Sequence, residues 1–166
     1  MFNKTFLSMF LMTFCYSVYA EDVPISGIVE SKCVIVQDVS GVYGNPAPET
    51  LSTDPTDGGV DPVVRFDVIQ ANFYKAKITH PNAFTSSPAL TDVVNWTGDT
   101  ATSQVSDAGM SGYDAAKVEY DNVTEFELTV AGSTWFKTES SADYGYGKAF
   151  PAGQYQTMVT AECIAI

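Results

Sequence analysis

The chain has 166 residues, of which 45% are hydrophobic, and 20 acidic side chains against 8 basic ones give a formal net charge of −12. That length holds one domain with a core of its own. So negative a surface repels nucleic acid and anionic membranes, and neither is expected as a partner.

Residues 1–20 read as a cleavable export signal. Lys4 supplies the positive start, Phe6 to Tyr19 the apolar core, and Val18-Tyr19-Ala20 the compact exit before Glu21. The apolar run is shorter than the roughly 20 residues of a membrane span, so no membrane insertion of the mature chain is expected. The bulky Phe14 ahead of Cys15 disfavours lipid attachment there. Residues 21–166 then form a single domain with two cysteines, Cys33 and Cys163. In an oxidising compartment one disulfide is the simplest reading, and two buried thiols are the rival. A bridge closing about 130 residues contributes ~4–5 kcal/mol on the chain-entropy account.

In the mature chain, Val23, Ile25, Gly27 and Val29 share one side of an extended run that continues through Cys33 to Val36, with a bend near Ser31-Lys32. Residues 40–62 read as loop, because Gly and Pro punctuate nearly every step. Within it Asp54, Asp57 and Asp61 surround Gly58 and Gly59. These are raw material for a calcium site, though the spacing is not that of an EF-hand and a solvated acidic loop is the ordinary reading. Val64, Phe66 and Val68 alternate with Arg65 and Asp67, and Tyr74, Ala76 and Ile78 with Lys75 and Lys77. This predicts two strands paired as a hairpin. His80, the one histidine, precedes Pro81 and reads as a turn residue.

Thr91–Thr97 predicts a short strand, and 97–112 a polar loop or irregular edge. Strands follow at 116–120, 124–130 and 134–138, the last two joined as a second hairpin across Ala131-Gly132-Ser133. Glu125 and Glu127 alternate with core positions and should point to solvent. Trp135, Tyr144 and Tyr146 have the makings of an aromatic platform for a sugar or protein ligand, although sandwiches commonly bury such residues. From Gln154 to Ile166 the chain alternates once more, with Tyr155, Thr157, Val159, Ala161, Cys163 and Ala165 on one face. Seven or eight strands without a helix predict an all-β, immunoglobulin-like β-sandwich. No phosphate loop, metal-ligand cluster or nucleophile elbow is present, so neither an enzyme nor a cofactor is expected. A hydrolase would need carboxylates that distant strands bring together.

Three segments carry a resemblance. Gly27-Ile-Val-Glu-Ser-Lys-Cys33-Val-Ile-Val36 is similar to the opening strand of many fimbrial subunits. Phe150-Pro-Ala-Gly-Gln-Tyr155-Gln-Thr-Met-Val-Thr160 resembles the lead into their final strand, and Ser87-Pro-Ala-Leu-Thr-Asp-Val-Val-Asn95 resembles pilins of the alternate-chaperone, colonisation-factor type. In order along the chain, they make it look like a chaperone–usher pilin.

The resemblance implies an immunoglobulin-like fold lacking one strand, completed by the amino-terminal extension of a neighbouring subunit. Residues 21–32 would be that extension, with Val23, Ile25 and Val29 entering the groove and Gly27 allowing close backbone approach. The acceptor groove would lie between the strand beginning near Cys33 and the terminal strand, which a Cys33–Cys163 bridge would link. The implied partners are neighbouring subunits, a periplasmic chaperone and an outer-membrane usher, and the implied destination is the cell surface by way of the periplasm. The other reading of the residues is a self-complete secreted sandwich that binds a glycan or protein ligand near Trp135 and Tyr144 to Tyr146.

Overall fold

The structure is a computed structural model that describes residues 24–28 and 32–166. The expected export signal, and Val23 and Val29 of the amino-terminal run, lie outside the described residues. Residues 24–28 pair with no strand, and Ile25 and Ile28 are 98% and 93% exposed.

Ten strands are present among the described residues: β1 Cys33–Val39, β2 Gly44–Ala47, β3 Thr50–Ser52, β4 Val63–Val68, β5 Tyr74–Thr79, β6 Val94–Val105, β7 Val118–Tyr120, β8 Val123–Glu127, β9 Gly132–Tyr144 and β10 Thr160–Ala165. They form two antiparallel sheets. In the first, β1 pairs with β4 and β4 with β9; β3 and then β2 continue beyond the far half of β9, and β6 runs along its other edge. The second has the order β10-β5-β8-β7. The chain is therefore mostly β, as its alternation predicts, and its two sheets are compatible with a sandwich.

The apolar faces meet in one core. Val64, Phe66 and Val68 of β4 face Ala76 and Ile78 of β5, with Phe126 and Phe136 between them. Phe66 meets Phe136 edge-on at 5.6 Å, and Phe126 lies 4.3 Å from Phe136. Full burial of each such ring contributes ~2–3 kcal/mol. Toward β6 the interior turns polar: Thr100, Thr124, Thr134, Thr138 and Ser140 are all buried.

Several expectations need correction. The strands at 63–68 and 74–79 exist but do not form a hairpin, since β4 lies in one sheet and β5 in the other. The five residues between them carry the chain across the core. The same holds for β8 and β9. Of the two alternatives for residues 97–112, the irregular edge holds for 97–105: they extend β6 to twelve residues at the edge of the first sheet, with a register shift between Thr102 and Gln104, and β9 runs to Tyr144 beside it. Residues 40–62 include β2, β3 and a 3-10 turn at Pro55–Asp57. A four-residue helix, α1 Tyr113–Ala116, precedes β7.

Candidate functional site

An elongated groove of about 840 Å³ runs between β1, at one edge of the first sheet, and the segment 153–161 that leads into β10, at the edge of the second. Its origin follows from the strand register. Ile35 pairs with Phe66 and Gln37 with Val64, and partners directly opposite in an antiparallel pair point to the same face. Phe66 and Val64 are buried, so Ile35 and Gln37 face the core. Ala161 and Cys163 do the same through Ile78 and Ala76. Yet Ile35 remains 38% exposed and Val39, also lining the groove, 39%.

Val42 and Met158, both more exposed still, extend the apolar lining, and Leu51 and Val64 form part of it from the core. Among the described residues, the core-facing Ile35 is thus left partly in water along the groove. The edge of β10 away from β5 and the edge of β1 away from β4 also have no strand partner among the described residues. Exposed edges of this kind are templates for another strand.

Cys33 and Cys163 form the disulfide, with their Cα atoms 6.4 Å apart. It joins β1 to β10 directly and closes one end of the groove. Lys32, the residue before β1, stands at this closed end. At the other end, Tyr155 packs 5.1 Å from both Phe84 and Phe150 and donates its hydroxyl to the Pro151 carbonyl at 2.6 Å. Phe84 in turn lies 4.7 Å from Trp96, and Phe150 stacks on Tyr144 at 5.1 Å. This aromatic cluster pins the chain on its way into β10.

The three aromatic residues considered for a ligand platform are not brought together. Tyr144 is buried in the cluster just described, and its hydroxyl accepts from the Thr91 amide at 2.9 Å. Tyr146 stands 94% exposed at the tip of the following turn. Trp135 lies nine residues back along β9, roughly 30 Å at strand rise. There it packs under the Arg65 guanidinium, 5.6 Å from its ring, and its indole N–H donates to Asp38. Arg65 also pairs with Asp67 at 3.0 Å.

The acidic loop does not converge either. Asp54 caps the 3-10 turn, accepting from the Thr56 hydroxyl and the Thr56 amide, each at 2.7 Å, and these bonds, the hydroxyl's first, hold its carboxyl below the usual carboxylate range. Asp61 is buried, bound by the Thr53 hydroxyl at 2.8 Å and the Lys137 ammonium at 3.3 Å. The loop needs its glycine at 59 because a Cβ there would lie 2.4 Å from the Ser52 carbonyl oxygen. Among the described residues no three His, Cys, Asp or Glu side chains gather as metal ligands. Glu125 and Glu127 both lie beside Lys75, at 3.7 and 3.8 Å.

His80 is not a surface turn residue but a buried link between the layers. Its Nε2 lies 2.9 Å from the Thr100 hydroxyl and 3.1 Å from that of Thr124, and Thr100 meets Thr138 at 3.0 Å. Burial pushes the imidazole pKa below its ordinary value, outweighing the pull of Asp99 and Glu119. A depressed folded pKa means that the unfolded chain binds the proton more tightly. The stability contributed by neutral His80 is therefore fully present above the unfolded pKa of about 6.5, and is lost as pH falls from there toward the folded value. Thermal melts at pH 7.5 and pH 5 are expected to show a smaller drop in Tm for His80→Gln than for the native chain. An equal drop would assign the acid sensitivity to other groups.

Compared with protein-family models, curated proteins and solved structures, the chain matches none.

Proposed function

We propose that this chain is a structural subunit of a bacterial surface fimbria of the chaperone–usher kind, an immunoglobulin-like sandwich lacking one strand and completed by the amino-terminal extension of the next copy. The observation that carries this reading is the pair of core-facing edges, Ile35 and Gln37 on one side and Val159 and Ala161 on the other, that line the groove between the two sheets.

The occupant is residues 21–31 of a second copy. In sequence that segment alternates Val23, Ile25, Gly27 and Val29, and Ile25 makes no use of its apolar side chain within its own domain. Seven residues from Val23 to Val29 span about 20 Å as a strand. Main-chain hydrogen bonds along an edge would hold the insert, and each apolar side chain leaving water would contribute ~1.5–3 kcal/mol. The extension leaves one end of the domain and enters a groove on another copy. Such an interface is heterologous and generates an open filament.

On this reading the protein is non-catalytic and is exported through the periplasm, where a chaperone covers the groove until an usher exchanges it for the next subunit. A self-complete ligand-binding sandwich is less well supported, because its aromatic residues lie far apart while the groove remains open.

A synthetic peptide of residues 21–31, added at 100 times its dissociation constant to a chain lacking that segment, should stabilise it by about 2.7 kcal/mol. This is a rise in Tm of roughly 5–10 °C for a domain of this size. A scrambled peptide should do nothing. Equal effects of both peptides, or of neither, would remove the donor assignment.

A further inference from the structure

We infer that the Cys33–Cys163 disulfide is a hard stop that sets the register of the inserted strand. The inference rests on the donor-strand reading above and concerns how far the donor can travel.

At the bridge, β1 and β10 are held with their Cα atoms 6.4 Å apart. A strand lying between two others needs about 4.8 Å on each side, and two sheets packed face to face stand about 10 Å apart. Neither arrangement admits a third backbone at 6.4 Å. The groove starts just beyond, at Ile35 on β1 and Ala161 on the opposite side, and continues to Tyr43 and Gly153. The nine residues from 153 to 161 span about 27 Å at strand rise. An insert is thus confined to the side of the bridge away from Ala165.

A stop is needed because the inserted strand has weak register information of its own. Its facing side chains are three aliphatics and a glycine, and displacement by two residues would again present apolar groups to an apolar lining. Because the side-chain period of a strand is two, a two-residue step keeps the same side chains on the buried face and is not penalised as a one-residue slip is. A covalent end to the groove removes every frame that overshoots it, so that only frames ending short of Cys33 and Cys163 remain. The bridge joins the two groove walls themselves, and the pairing therefore shapes the site as well as stabilising the fold.

The test is photo-crosslinking in the assembled full chain, with a diazirine residue encoded in turn at positions 23, 25 and 29, and intermolecular adducts mapped by mass spectrometry. All adducts are expected on residues 35–43 and 153–161. Adducts on Tyr74, Cys33, Cys163 or Ala165 would show the donor passing the bridge and overturn the stop. Intermolecular adducts on an unrelated surface, or none at all, would overturn the donor-strand reading itself.

In a second arm, Cys33→Ser with Cys163→Ser, checked for a cooperative melt, should spread the adducts past the bridge position by two residues or more. An unchanged map in that folded variant would assign the register to another feature. If the double variant does not fold, the native map decides alone.

Discussion

Deleting residues 21–30 is expected to abolish multimers while leaving the domain folded, with a Tm within about 2 °C of the native monomer. The described part of that segment contributes nothing to its own domain. Ile25 is 98% exposed, and a Cβ placed on Gly27 would meet no atom within 4 Å. Surface changes of this kind lie within about 0.5 kcal/mol, whereas the same residues would supply every apolar contact of the proposed intermolecular strand. The point substitution Ile25→Asp should act alike, because an unpaired carboxylate entering the Ile35 and Met158 lining costs several kcal/mol. Size-exclusion chromatography with light scattering, alongside a thermal melt, separates the outcomes. Loss of both assembly and fold would mean that the extension completes its own domain.

Replacing both cysteines, Cys33→Ala with Cys163→Ala, is expected to cost about 5 kcal/mol, read from the urea midpoint. The bridge closes a sequence separation of 130 residues, and the loss of chain entropy in the unfolded state rises with the logarithm of that separation. Domains are stable by only about 5–15 kcal/mol, so the variant should lie near the edge of folding at 37 °C. There is a structural reason to expect the full effect. Among the described residues β1 and β10 have no strand between them along the groove, so the covalent tie holds together two edges that belong to different sheets. A loss below 1 kcal/mol would show that the polar interlayer and the aromatic cluster at the other end already fix these edges.

The sequence made strands legible where charged and apolar residues alternate. Arg65 and Asp67 between Val64, Phe66 and Val68 outline β4, and Lys75 and Lys77 outline β5. Alternation identifies a face, however, and not a neighbour. Both supposed hairpins are crossings from sheet to sheet, because the five residues 69–73 and the short run 128–131 are long enough to turn a corner.

β6 was legible only at its start, within the expected strand Thr91–Thr97, and its continuation was not, for another reason. Its buried side chain is Thr100, facing Thr138 and His80, and a polar layer carries no hydrophobic period. The disulfide followed from counting the cysteines left after the expected export signal, Cys33 and Cys163. The walls of the groove could be located from the ends of the chain, but not the exposure of Ile35 along it, because the alternation of β1 is the same whether or not a neighbour covers it. Tyr144, Tyr146 and Trp135 look like one platform by composition, and are separated by the length of β9 and the turn after it.

If copies of this chain complete one another through the groove between β1 and β10, a non-reducing SDS gel of the protein recovered from outside the cytoplasm, run with and without boiling, shows it. An unboiled ladder of multimers that collapses to a single monomer band on heating is expected, since strand exchange is non-covalent but buried. A single monomer band in both lanes, from cells shown to express and export the protein, would contradict it.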